Sequence, residues 1–255
     1  MIITGCSREP DPVIEGKVIV LMYHRISEGT ASNIYERSVA DFEADLQYLK
    51  EQNIRVIGFD ELDEMITGGT VPETHCAILT FDDGDHSWIT RAMPLLLKYE
   101  MKATFFLWTE MILLERDSFL SWDEVEYMSH YMDDNGRLPF VFGSHTLYHQ
   151  YLLDRKLAMN DPEAYAIYLD EELGGSRNLI EAHIPGSVTI LSLPFGNGAG
   201  DPDIIAGALR NGYKFIRTSE WGALDPVTAN KLRIPSLPLL SDTNIGIIST
   251  YLDSE

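Results

Sequence analysis

From residue 17 onward, unbroken apolar runs alternate with amphipathic ones. "KVIVLMYH" (17–24), "IRVIGF" (54–59), "HCAILTF" (75–81), "KATFFLW" (102–108), "LPFVFGSH" (138–145) and "SVTILSLPFG" (187–196) read as strands, with "YKFIRTS" (213–219) and "NKLRIPSL" (230–237) as the last candidates. A strand with one wet face alternates apolar and polar residues; a strand covered on both faces is apolar throughout. Helical patterns lie between them. In "VADFEADLQYLKEQ" (39–52), Phe42, Leu46 and Leu49 share a face behind Ser38 as N-cap. "DELDEMITGG" closes on glycine, and Asp201-Pro202 opens another helix. Pro94 predicts a kink or restart within 87–100, and a long helix is expected after His145, ending near Ala182. Such repetition predicts an α/β fold, a distorted (β/α) barrel with seven or eight parallel strands. No glycine-rich dinucleotide fingerprint follows the first strand, which disfavours an open doubly wound sheet.

Lys plus Arg number 19 against 40 Asp plus Glu, a formal net charge of −21. That field repels phosphate backbones and anionic lipid, so nucleic acid is not an expected partner. A neutral sugar polymer would not be repelled. No apolar run is long enough to span a bilayer. Ile3-Thr4-Gly5-Cys6 resembles the tail of a bacterial lipoprotein signal whose basic and apolar parts are missing. This implies a lipid anchor at Cys6, a polar tether over 1–16, an extracytoplasmic location in the cell envelope, and one domain over 17–255. Cys76 lies in an apolar run and reads as a core thiol.

Barrel enzymes carry their chemistry at the C-terminal ends of strands. Those ends hold Tyr23-His24, Asp82-Asp83, Trp108, Ser144-His145 and Pro194-Phe195. Asp82 and Asp83 are adjacent carboxylates that repel, so something nearby should offset the repulsion. His149 follows His145 by four residues, the spacing that brings two imidazoles to one point from a single helical turn. Two imidazoles and one carboxylate from "FDDG" make a three-ligand metal site, and leave the other carboxylate free as a base. Two histidines and a carboxylate also make the facial triad of iron oxygenases, usually found on all-β scaffolds.

"LTFDDG" with "SHTLYH", preceded by "VLMYHRI" and "KATFF", resembles the polysaccharide deacetylase family (carbohydrate esterase family 4, NodB-like) over residues 17 to 240. The resemblance implies a distorted barrel that removes N- or O-acetyl groups from a polysaccharide with a divalent cation. It implies Asp83, His145 and His149 as metal ligands, zinc foremost with cobalt or nickel as substitutes, and Asp82 as general base. "SLPFG" matches the family's proline–aromatic motif, where the backbone N–H after Pro194 holds the oxyanion. Two departures stand out. Ser192 occupies the position of an arginine that orients the catalytic aspartate, and the C-terminal histidine motif that supplies the acid is absent. The pattern resembles the exopolysaccharide-deacetylase branch, where "MYHRI" opens the domain.

Among the seven histidines, His24 and, behind it, His86 are left at the mouth to serve as the acid. Tyr23, Trp108, Pro194, Phe195 and Trp221 are the expected substrate-binding set, as acetyl pocket or sugar platform. The missing arginine and histidine also fit a deacetylase-like domain that binds carbohydrate without turnover.

Overall fold

Val18–Tyr23 (β1) is buried at every position and pairs in parallel over its whole length with Cys76–Asp83 (β5). Both need cover on two faces, and each has strands paired along both of its edges. The computed structural model describes residues 16–254; Cys6 and most of the tether lie outside the described residues. The remaining strands are Arg25–Ser27 (β2), Glu36–Ser38 (β3), Arg55–Val56 (β4), Ala103–Leu107 (β6), Phe140–Ser144 (β7), Ile190–Ser192 (β8), Phe215–Arg217 (β9), Ala223–Leu224 (β10) and Leu237–Pro238 (β11). The main sheet runs β10-β1-β5-β6-β7-β8-β9, with β4 beside β5 and β11 beside β1; among the described residues only β10 is antiparallel. The sheet curls into a half-barrel. Ile234 bridges to Arg217 of β9, and Leu237 pairs with Leu21 of β1, so residues 234–238 link its two ends.

Alternation sorts the side chains. Val18 and Val20 face inward with Cys76, Ile78, Phe106, Ile190 and Phe215. Ile19, Leu21, Ala77, Leu79, Phe81 and Phe105 face outward, under the helices. Tyr23 shares the outward parity. It is fully buried against Phe42 and Phe81, and its hydroxyl donates to Asp45 at 3.2 Å. Its expected place in the substrate groove is therefore wrong by one residue of register. Gly143 faces inward where a Cβ would lie 2.5 Å from the Phe106 ring, so only glycine fits.

Helix Val39–Glu51 begins on Ser38, whose hydroxyl accepts from the Asp41 N–H, and Phe59–Gly68 ends on Gly69 in the left-handed region (φ 60°). Pro94 acts as a restart: a π-helical turn, Trp88–Ala92, gives way to an α-helix, Met93–Lys98. The single long helix expected before Ala182 is instead divided into Leu152–Met159, Pro162–Leu169, a π-helical turn at Asp170–Gly175, and Ser176–Glu181. Asn160 in the left-handed region and Pro162 at a new helix start make the first break. Among the described residues, no helix is long and apolar enough to cross a membrane.

Candidate active site

β5 ends on two aspartates of opposite parity, which should point to opposite faces. Asp82 faces inward and is buried. At Asp83 the backbone turns to φ 91°, followed by Gly84 at 103°, and this swings the second carboxylate round to the same mouth. His145 lies one residue beyond β7, and its N–H donates to Leu107 O at the end of β6. His149 reaches the same point from a loop rather than the expected helical turn, because Thr146 (φ 64°) and His149 (φ 54°) both adopt left-handed backbone.

That loop is held from beneath. Glu172, wholly buried in the π-helical turn, accepts from the N–H of Leu147 at 3.1 Å and of Tyr148 at 2.9 Å, while its other oxygen takes the Tyr168 hydroxyl at 2.9 Å. Thr146 Oγ1 accepts the His149 N–H at 3.1 Å. Two residues in unfavourable backbone regions are thereby over-determined by their surroundings. Glu172 is the third of three consecutive acids, Asp170-Glu171-Glu172, and nothing in the sequence sets it apart from its two neighbours.

One ligand atom each from Asp83, His145 and His149 lies within 4.8 Å of the others. The two Nε2 atoms are 3.0 Å apart, and Asp83 Oδ1 is 3.6 and 3.4 Å from them. The Ser192 carbonyl, 3.0 Å from His145 Nδ1, can only accept, so Nδ1 carries the proton and Nε2 presents a lone pair. Burial drives His145 down to about 3 and His149 to about 4, so both rings are neutral. Two neutral imidazoles whose Nε2 atoms meet beside a carboxylate fit a divalent cation that accepts nitrogen and oxygen donors.

Asp82 has a different environment. Its Oδ2 is paired with the guanidinium of Arg217 and lies 3.3 Å from the Ser192 hydroxyl; its buried Oδ1 has no hydrogen-bond partner among the described residues. Burial alone would raise this carboxyl, but Arg217, helped by His145 and His24, outweighs burial and holds it at about 2. Asp83, with a third of its side chain still accessible, is pushed up to about 7 by loss of solvent and by the charge of Asp82. One neighbour is thus ionised by Arg217 without a metal ion, and the other calls for one.

Arg217 was not among the expected site residues. It is fully buried, faces inward from β9, and is the register partner of Ser192 on β8. The guanidinium absent from position 192 is thus supplied by the adjacent strand, and the Ser192 hydroxyl fills the space left over. The signal was an arginine inside "YKFIRTS", a strand otherwise covered on both faces.

A cavity of about 370 Å³ opens above these groups, lined by His24, Tyr35, Asp82, Asp83, His145, His149 and Phe195 among others. His24 is beside Asp82; burial lowers its pKa, Asp82 opposes this and Arg217 adds to it. Trp108 stacks on His149 (4.6 Å between centroids, 21° between planes) and so packs behind a ligand. Phe195 lines the cavity, while Pro194 is buried beneath its turn. Trp221 does not line it: its turn is tied through Glu220 to Arg233, and the ring stays exposed. His86 also lies outside this cavity and pairs with Glu124 at 2.9 Å.

Residues 70–216, more than half of the chain, match the family model described as polysaccharide deacetylase. The chain belongs to the polysaccharide deacetylase family. This deacetylase-family chain is 27% identical over 209 residues to the Bacillus subtilis (strain 168) protein named "Putative polysaccharide deacetylase YxkH", covering 81% of its own length and 66%, just under two thirds, of that relative's. The solved Streptococcus pyogenes deacetylase PplD, in complex with acetate, aligns with a TM-score of 0.77 at 19% identity over 93% of this chain and 99% of that one. IcaB from Ammonifex degensii aligns at 0.76 and 20% identity over 94% and 98%. At such identities these two show that the half-barrel fold is shared.

Proposed function

We propose that the protein is a metal-dependent hydrolase that removes acetyl groups, N- or O-linked, from a polysaccharide. The observation that carries this is one mouth holding an Asp–His–His donor set beside a second carboxylate, ionised and with one oxygen unpartnered. Asp83, His145 and His149 would hold the cation, with zinc the metal best suited to mixed nitrogen and oxygen donors at a hydrolytic centre. A bound divalent cation supplies electrophilic activation of water and of the acetyl carbonyl.

This chain's residues do the rest. Asp82 Oδ1 accepts the proton of the attacking water, while Arg217 and Ser192 hold the other oxygen and fix the carboxylate plane. The backbone N–H of Phe195 donates to the carbonyl oxygen as it gains charge. His24, which lines the same cavity beside Asp82, gives a proton to the departing amine or alkoxide. Trp108 fixes the plane of the His149 ring. With a guanidinium present on Asp82, the missing motif arginine no longer argues for a domain that binds without turnover. Family membership likewise removes the reason to consider an oxygenase.

The acidic surface suits an uncharged or cationic glycan and no nucleic acid. We place the domain, residues 17–255, outside the cytoplasm on a tether lipidated at Cys6. The deciding experiment is acetate release from acetylated oligosaccharides. Activity abolished by a chelator and restored by zinc is the expected result; no acetate from chitin-, xylan- or peptidoglycan-derived oligomers under zinc loading sinks the reading.

A further inference from the structure

Two residues beside the metal donors break the rules of their local backbone, and they touch each other. Phe195 is a bulky aromatic at φ 58°, where the side chain crowds its own carbonyl and glycine or asparagine is the usual occupant. Tyr151 occupies the N-cap of helix Leu152–Met159, where serine or aspartate would satisfy a free N–H, and its side chain makes no cap bond. The rings stack at 4.1 Å with 7° between their planes, yet 47% of Tyr151 and 53% of Phe195 stays open to solvent. Residues chosen against local preference, with large apolar area left wet, mark a surface kept for a ligand.

The pair is built in place. Asn197, two residues past Phe195, takes over the missing cap: its Oδ1 accepts the Leu153 N–H at 2.6 Å and its Nδ2 donates to Asp154 at 3.1 Å. That clamp frees position 151 from capping and locks the Phe195 turn to the helix start. The shelf is continuous with the chemistry, since the Phe195 ring lies 4.8 Å from that of His149. Tyr151 itself lies outside the lining of the cavity, so the shelf extends past the space occupied by a single reacting sugar.

We propose that Tyr151 and Phe195 form a sugar-binding shelf that seats the pyranose next to the one losing its acetyl group, so that the site selects chains over single sugars. The C–H-rich face of a pyranose is the neutral, flat, weakly polar surface that matches an exposed aromatic plane. This rests on the deacetylase reading above and adds a specificity determinant, Tyr151, to it.

The test compares wild type, Tyr151→Ala and Tyr151→Phe on zinc-loaded protein. N-acetylchitopentaose and N-acetylglucosamine are the probes, with binding followed by calorimetry and acetate release measured separately. Tyr151→Ala should weaken pentasaccharide binding about tenfold, the scale of one aromatic contact, and raise KM with little change in kcat. Tyr151→Phe, which keeps the ring, should stay within about twofold. Equal losses on the monosaccharide and pentasaccharide would overturn the shelf and make Tyr151 a support for the His149 loop. So would unchanged pentasaccharide affinity in Tyr151→Ala, or a wild type that binds the pentasaccharide no better than the monosaccharide. Because binding is measured apart from turnover, a protein that binds chains through Tyr151 but releases no acetate would sink the deacetylase reading and leave the shelf standing.

Discussion

Replacing Arg217 with methionine removes the only cation paired with Asp82 among the described residues while keeping most of the side-chain volume. The wild-type carboxyl is held at about 2 instead of its ordinary 3.8, and a gap of nearly two pH units corresponds to roughly 2–3 kcal/mol. The sign follows from the direction. A depressed folded-state pKa contributes stability that is present above about 4 and lost as the pH falls through about 2. In Arg217→Met burial acts without its main counterweight, so the carboxyl moves above its ordinary range and the contribution reverses. Leaving one member of a buried pair alone costs about 3–5 kcal/mol. For a chain of this length that lowers the melting temperature by about 10 °C. Melting curves from pH 4 to 8, in EDTA so that metal release does not contribute, should show the gap between variant and wild type widest near pH 8 and narrowing toward pH 4. Adding Asp82→Asn should recover much of the loss, because an uncharged pair in the same space is tolerated. A gap that is flat across this range, or a double variant less stable than Arg217→Met, would refute the claim that Arg217 acts through the charge of Asp82.

Other outcomes follow from the same geometry. Glu172→Ala should weaken zinc affinity about 10–100-fold by releasing the 146–149 loop, whereas Glu172→Gln, which can still accept both N–H groups, should stay near wild type in a chelator competition; equal losses would show that the charge rather than the hydrogen bonds matters. His24→Ala should keep its metal, and lose more kcat on an acetamido sugar than on an aryl acetate, whose leaving group needs little protonation; equal losses would assign His24 to positioning. Because burial keeps both histidines neutral while Asp83 sits near 7, zinc binding at pH 6 should displace about one proton, and affinity should fall about tenfold per pH unit below 7. Calorimetry in two buffers of different ionisation enthalpy counts it, and a release of two or more would mean that the imidazoles are protonated before the metal enters.

Much of the frame was legible because burial on two faces writes itself as unbroken apolar runs, and β1, β5 and β6 coincide with such runs. The convergence of Asp82, Asp83, His145 and His149 was legible for a related reason: they are polar residues placed where those runs end. Parity was the weak point. Tyr23 ends β1 and His24 follows it, but a run apolar on both sides carries no alternation to say which side either residue takes. The route of the His149 loop left no trace either, since Thr146 and His149 are not residues that announce left-handed backbone; the hydrogen bonds that impose it come from Glu172, far along the chain. Arg217 was hidden by position. It is the last residue of β9, but the run read from the sequence carries on to Ser219, and its purpose appears only when β8 and β9 are set side by side.

That last arrangement bears on how relatives of this chain are recognised. Positions 192 and 217 are opposite one another across a parallel pair, so a guanidinium rooted at either can reach the same aspartate oxygen. A pattern that insists on arginine at fixed spacing before the proline would discard this sequence as dead, although the charge is present in space. The pair behaves as two addresses for one function. A chain with arginine at both would crowd two cations against one carboxylate, and a chain with neither would leave Asp82 buried and unmatched. Sequences of this type should therefore sort into two exclusive groups, arginine on the eighth strand or on the ninth, and a passage from one group to the other requires both positions to change together.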